Sequence, residues 1–566
     1  MSEADNRQGP RIVWLDLNAS HAHTSLALPL LHAACVRQGV PGQWAAVTAT
    51  AAEPPGTSAA TVAAQAPEVL AATAWLFTVD ALLAVVRRVK ALDPRCRVIL
   101  GGPEFLGDNL PFLRREPAVD AVLRGEGEES FPRWLRHWDK PAQWHDIPGL
   151  CWLDPATGAF HDNGRAAPAE FAALPAPWES PFFAWDRPFI QLETVRGCRN
   201  RCAFCTSGGD WPLRALSLEE VRRRLATVRA RGIREVRLLD RTFNGEPRRA
   251  LELLRLFQAE CPEARFHLEV HPGLLTAELR AALAAAPPGR LHLEAGLQTT
   301  HPAALAACGR AGELERCREG LAFLCGLRNL EVHVDLLAGL PELPLAHLLA
   351  DLAWLAGLGP AEIQLETLKV LPGTALREAV PRRGLVFAPD PPYEILRTPQ
   401  MAAAELQAAR LLSRVVDGFY NAPPWRPAVC QAVADCGAGF LLDLVAELER
   451  AGCAGQPLSL ERRGRFLHAV AAARCPAAAA RVELEWLRAG LPPAGCPGGR
   501  LHAWKGAPPA GAELVERHPG CDPARLSGHV RVFCLEQGAV RHWLAFDRAV
   551  EPTRPVARWR CPGGGS

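Results

Sequence analysis

Twice along this chain of 566 residues, short apolar runs alternate with stretches whose apolar residues recur at helical spacing. Strands buried on both faces read as continuous apolar runs, so their alternation with helices predicts an α/β fold with parallel sheets. In the first series Ile12–Leu17 is expected as a strand, Ser25–Arg37 as a helix, Val69–Phe77 as an apolar run and Val79–Leu92 as a helix. Val98–Leu100 and Ala121–Leu123 read as buried strands, followed by Gly101-Gly102-Pro103 and Arg124-Gly125-Glu126-Gly127-Glu128. Such sheets bind ligands at the carboxyl ends of their strands. Glycine there allows close backbone approach, or simply a tight turn.

The second series places strands at about 189–195, 233–239, 265–270, 290–295, 330–337 and 362–370. Helices begin near Ser217, Pro247, Thr276, Pro302, Gly312 and Pro344. Six βα repeats fall short of the eight in a closed barrel, so a partial, open barrel is expected. Residues 136–186 lack periodicity and read as a surface connector. From about 398 the pattern turns helical, with Gln400–Phe419, Ala438–Ala451, Leu458–Ala473 and Ala479–Ala489 as helices. A Pro/Gly/Ala-rich linker over 490–515 then leads to a terminal hairpin of His529–Phe533 and Val540–Phe546. The expected organisation is 1–135, 136–186, 187–397 and 398–566.

With 49% hydrophobic and 22% charged residues the composition is that of a globular protein. A formal charge of +2 argues against a general nucleic-acid binder. No signal peptide and no run of membrane-spanning length is evident, so a cytoplasmic location is expected. The eighteen Cys are then expected as thiols or metal ligands rather than disulfides.

Three of them stand together as Cys198-Arg-Asn-Arg-Cys202-Ala-Phe-Cys205, just after the first strand of the second series. Thiols spaced CxxxCxxC on one loop can ligate three irons of a [4Fe–4S] cube and leave the fourth iron open. Structural zinc wants four ligands, and no fourth stands at matching spacing. Arg196, Arg199 and Arg201 would favour thiolates and offset the cluster's charge. The barrel strands also alternate polar with apolar residues: His267 and Glu269, His292 and Glu294, Glu331, His333 and Asp335, Gln364 and Glu366. Helices cover the outer face of such strands, so this polar set is expected to line a wet or ligand-filled lumen.

The Cys motif, with its aromatic before the third Cys, closely resembles that of the radical S-adenosylmethionine (radical SAM) superfamily. The front segments Leu17-Asn-Ala-Ser-His-Ala-His-Thr24, Leu100-Gly-Gly-Pro-Glu104 and Arg124-Gly-Glu-Gly-Glu128 resemble its cobalamin-dependent branch. So do Leu238–Asn244, Glu294–Thr299, Asp335–Pro341 and Leu368–Gly373, and the resemblance covers about residues 10–400. It implies a Rossmann-like (flavodoxin-like) cobalamin-binding domain, a partial (β/α)6 radical SAM barrel and a mostly helical C-terminal domain.

The cofactors implied are a [4Fe–4S] cluster on Cys198, Cys202 and Cys205, S-adenosylmethionine and cobalamin. By the family pattern the Phe204 backbone contacts adenine, while Asp240, Glu269, Glu294 and Gln298 face the methionine amine and ribose. Gly208 and Gly209 allow close backbone approach. Asn18, His23, Thr24, Gly101, Gly102, Gly125 and Glu126 are the corrin candidates. The DxHxxG cobalt-ligating motif is absent. Cobalt is then left unligated from below, or held by His23, or cobalamin has been lost; His21 and His23 equally suit a loop that caps the following helix.

The implied activity is reductive cleavage of S-adenosylmethionine followed by C-methylation of an unactivated carbon. Alternatives are a non-methylating radical cyclisation, ring contraction or oxidation, and a non-catalytic cluster and corrin redox sensor. Expected partners are a small-molecule or peptide substrate and an external electron donor of the flavodoxin or ferredoxin type, with no nucleic acid and no membrane.

Overall fold

The computed structural model describes residues 9–20, 22, 25–207, 213–310, 314–498, 500–505, 508–509, 511–519, 521, 530–537, 540–547, 550–551 and 554–562. The front sheet contains β1 (Arg11–Asn18), β2 (Gln43–Thr50), β3 (Val69–Thr73), β4 (Arg97–Gly101), β5 (Ala121–Leu123), β6 (Leu150–Leu153) and β7 (Phe160–Asp162), in the order β2-β1-β3-β4-β5-β6-β7. The first five strands are parallel. Separate hydrophobic cores lie on the two faces, one around Leu70, Val86 and Leu100 and one around Ile12, Ile99 and Trp134. The chain leaves β1 toward β2 on one side and β3 on the other, which makes their carboxyl ends the switch-point crevice. The stretch expected as a connector supplies β6 and β7, antiparallel additions that bury Trp144 and Trp152. Isolated short strands carry too little alternation to be seen in sequence.

The second sheet is built from β8 (Ile190–Leu192), β11 (Glu235–Leu238), β12 (Arg265–Val270), β13 (Leu291–Gln298), β14 (Glu331–Ala338) and β15 (Glu362–Thr367). All six are parallel and run in chain order across an open sheet. Between β8 and β11 lies a small antiparallel pair, β9 (Val195–Arg196) and β10 (Arg214–Ala215), which brackets the Cys loop. Helices start where side chains satisfy their first N–H groups: Ser217 accepts from Glu220 and Thr276 from Leu279. The expected start at Gly312 lies outside the described residues.

After the two-strand pair β16 (Val386–Phe387) and β17 (Ile395–Arg397), the chain turns helical at Ala403–Val415, which runs into a π-helical turn at Val416–Tyr420. This segment caps the open edge at β15. Asn421 accepts from Ile363 N–H at 2.9 Å and donates back to Ile363 C=O at 2.9 Å, as a strand neighbour would. Tyr420 adds a bond to Pro360 C=O. Asn421→Ala is expected to cost about 1–3 kcal/mol, because it orphans a donor and an acceptor of a buried strand. A urea unfolding curve checks this.

A helix at Arg426–Cys436 was hidden in sequence by Pro423, Pro424 and Pro427; the last sits in its first turn, where proline is tolerated. The expected terminal hairpin is part of a five-stranded antiparallel sheet: β18 (Arg500–Trp504), β19 (Glu513–Arg517), β20 (Arg531–Gln537), β21 (Val540–Phe546) and β22 (Ala557–Pro562). Its order is β18-β20-β21-β22-β19, so the expected linker contributes strands. Cys436 and Cys475 form a disulfide, where thiols or metal ligands are expected from the sequence. Among the described residues, no single helix is long and apolar enough to cross a membrane.

Candidate functional site

The Cys loop leaves the carboxyl end of β8 and is anchored by Asp240. One Asp240 oxygen accepts from Thr194 N–H at 2.7 Å and Val195 N–H at 3.0 Å; the other accepts from the Thr194 hydroxyl. Asp240 is therefore an anchor beneath the loop, and three of its roughly four acceptor sites are taken by the chain itself. Burial pushes its carboxyl up to about 6 against these bonds. A group whose folded value is raised contributes stability at low pH and loses it as pH rises from about 3.8 through about 6. Asp240→Asn is expected to flatten stability over that window, measured as denaturation midpoint against pH.

Cys198, Cys202 and Cys205 line one cavity of about 260 Å³. The same walls carry Phe204, Glu269, Glu294, Gln298 and Asp335, from the loop and three strands. Cys198 Sγ lies 3.5 Å from the Thr242 hydroxyl, and Ser207 N–H donates to Cys205 Sγ at 3.4 Å. The Cys202 thiol is pushed up by burial and by its two sister thiols, and pulled down by Arg310, whose Nη1 lies 3.7 Å from Sγ. Arg310 is fixed in turn by Gly296 C=O at 2.7 Å. Three crowded thiols with one cation beside them, on a loop with no carboxylate among them, suit an iron–sulfur cluster. His271, also on this wall, accepts from Gly273 N–H through Nδ1, and burial lowers it to about 4, so it stays neutral.

Two of the three flanking arginines pair with carboxylates. Arg196 is buried and bonds Glu193 at 2.8 Å and Glu128 at 2.7 Å, and Arg199 pairs with Glu246. Arg310 takes the expected electrostatic role. It stands 108 residues from Cys202, and nothing local in the sequence marks it.

The polar lumen is present. His267 bonds Glu294 at 2.9 Å, and this contact holds the Glu294 carboxyl below its usual range against burial. Burial and the charges of Glu294 and Glu269 drive Asp335 well above its own. Burial also raises Glu269, opposed by Arg241. A cationic ligand would relieve this wall of carboxylates. A second cavity of about 430 Å³ opens at the barrel mouth, lined by Phe204, Asp335, Gln364, Glu366, Lys369 and, from the front domain, Phe77.

A larger cavity of about 640 Å³ lies between the front sheet and the Cys loop. Gly101, Gly102, Gly125 and Glu126 line it from one side, and Cys198, Thr206 and Ser207 from the other. Gly102 has φ +110° and a Cβ there would meet Ala74 C=O at 2.7 Å, so glycine is required. Glu126 is held by Arg214 at 2.8 Å and Ala169 N–H at 2.9 Å, which makes it a tie between the domains as well as a wall. Although burial raises it, Arg214 and Arg196 bring it below the ordinary carboxylate range. Asn18 lies buried at the end of β1, bonded to Asp16 at 3.0 Å. His21, His23, Thr24, Gly208 and Gly209 lie outside the described residues.

Residues 192–355 match the family described as the Radical SAM superfamily. That stretch contains the Cys loop and most of the parallel strands of the second sheet. The chain's particular relatives include cobalamin-dependent members. The fold is similar to that of the cobalamin-dependent S-adenosylmethionine radical enzyme OxsB with aqua-cobalamin bound, with TM-score 0.58 and 13% identity over 85% of this chain and 80% of that one. It is also similar to the radical S-adenosylmethionine methyltransferase TsrM from Kitasatospora setae with cobalamin and [4Fe-4S] cluster bound, with TM-score 0.53 and 18% identity over 70% of this chain and 81% of that one. In sequence, 205 residues are 28% identical to the uncharacterized methyltransferase PH0819 of Pyrococcus horikoshii, covering 34% of this chain. That match spans 44% of the relative, less than half its length.

Proposed function

We propose that this chain is a cobalamin-dependent radical SAM enzyme that methylates an unactivated carbon of a small molecule or peptide. The observation that carries the reading is a shared wall. Cys198 and Thr206 line both the thiol cavity and the cavity against the front sheet, and Cys205 and Thr206 also line the barrel mouth. A [4Fe–4S] cluster and a corrin, when bound, supply one-electron cleavage of S-adenosylmethionine and a transferable methyl group.

The chain's own contribution is placement. Cys198, Cys202 and Cys205 would hold the cluster, with Arg310 balancing charge beside Cys202. Glu269 and Glu294 offer acceptors to the ammonium of S-adenosylmethionine, and Gln298 and Phe204 flank the same space. Gly101, Gly102 and Gly125, with Asn18 at the end of β1, would form the corrin face. Gln364, Glu366 and Asp335 face the substrate at the mouth. Holding reacting groups in register is worth several orders of magnitude in rate. A flavodoxin- or ferredoxin-type donor would deliver electrons, in the cytoplasm.

Titration of the reconstituted protein with hydroxocobalamin tests the corrin half. One corrin per chain is expected, weakened at least about tenfold by Ala27→Trp, which fills the cavity from its rim. A chain that binds no corrin overturns this half of the reading.

A further inference from the structure

The sheet of β18–β22 packs one face on the helices through Leu535 and Leu544. Its other face has a small core of its own, centred on Cys534, Val532, Trp543 and Trp559. On that face β18 and β20 pair so that His502 stands directly opposite Cys534, with Glu536 two residues further along the same side. One ligand atom from each of these three residues lies within 4.8 Å of the other two. His502 Nε2 is 3.7 Å from Glu536 Oε1. Two ligands on a tetrahedral ion with bonds of about 2.1 Å stand roughly 3.4 Å apart, so a small closing movement suffices.

We propose that His502, Cys534 and Glu536 form an open, three-ligand site for one divalent ion of the zinc class, bridging β18 and β20. The ion takes an imidazole nitrogen, a thiolate sulfur and a carboxylate oxygen, and water fills the fourth tetrahedral position. The mixed donor set suits zinc, whereas magnesium and calcium want oxygen alone. Binding displaces the Cys534 proton to solvent, so uptake falls as pH falls. His502 is exposed and provides the entry path. Arg541, which pairs with Glu536 at 3.1 Å and is half-exposed, swings to solvent as the ion replaces its charge.

The site is independent of the radical chemistry, and the test is arranged accordingly. The full chain with Cys198, Cys202 and Cys205 all changed to Ala removes competing thiols of the loop. Cobalt(II) added to this chain under anaerobic conditions is expected to bind at one equivalent, with a thiolate-to-cobalt charge-transfer band that zinc abolishes. His502→Gln, at an exposed position that the fold tolerates, is expected to remove the band, and Cys561→Ser is expected to leave it. No bound cobalt, or a band that survives His502→Gln, overturns the site.

Discussion

Arg196→Met is expected to destabilise the protein by about 3–5 kcal/mol, the cost of stripping one partner from a buried ionic cluster. Arg196 is 10% exposed and bonds Glu193 and Glu128, with Glu126 at 3.5 Å. Its guanidinium also stacks 4.9 Å from the Phe171 ring. Methionine would preserve the packing and leave Glu128 buried, and Glu193 half-buried, without this counter-charge. Because Glu126 and Glu128 belong to the front domain and Arg196 opens the Cys loop, the same change is expected to loosen the wall between the two large cavities. Iron and corrin retention should both fall. Lysine cannot rescue it, since one ammonium does not span the carboxylates that a planar guanidinium spans. Denaturant unfolding with metal and corrin analysis measures the effect; a loss below about 1 kcal/mol would put Arg196 with surface ion pairs.

Cys202→Ala carries the second large effect. Cys202 is buried, and its sulfur is the one that Arg310 faces. Removing a single sulfur costs little packing, so the variant is expected to fold with an unchanged far-ultraviolet spectrum. A cube held by three thiolates has no substitute for one of them, and iron after anaerobic reconstitution is expected to fall to background. Corrin binding should persist, because Gly101, Gly102 and Gly125 are untouched. Wild-type iron in this variant would move the cluster elsewhere.

Much of this was legible in the chain because its signals are local. The CxxxCxxC spacing puts three thiols on one loop, and period two along β12 to β15 turns His267, Glu269, Glu294 and Asp335 inward without knowledge of the fold. Buried parallel strands such as Val98–Leu100 announce themselves as apolar runs. Long-range partners do not. Arg310 and Thr242 reach the thiols only after the sheet is assembled. Asp240 and Glu126 suit a ligand as well as a structural tie, and only geometry shows that Thr194 and Arg214 already occupy them. The tail sheet escaped for a different reason: β18 and β19 are short strands between proline- and glycine-rich stretches, and they become strands by pairing with β20 and β22.

The most direct measurement is a single mass-spectrometric run on the anaerobically reconstituted protein with hydroxocobalamin, S-adenosylmethionine and a low-potential reductant, with Cys202→Ala alongside. 5′-Deoxyadenosine is expected from the wild type alone, accompanied by S-adenosylhomocysteine as methyl groups are drawn from a second S-adenosylmethionine. Deoxyadenosine without S-adenosylhomocysteine would contradict methyl transfer. Neither product, from a protein that also retains no iron, would contradict the cluster itself.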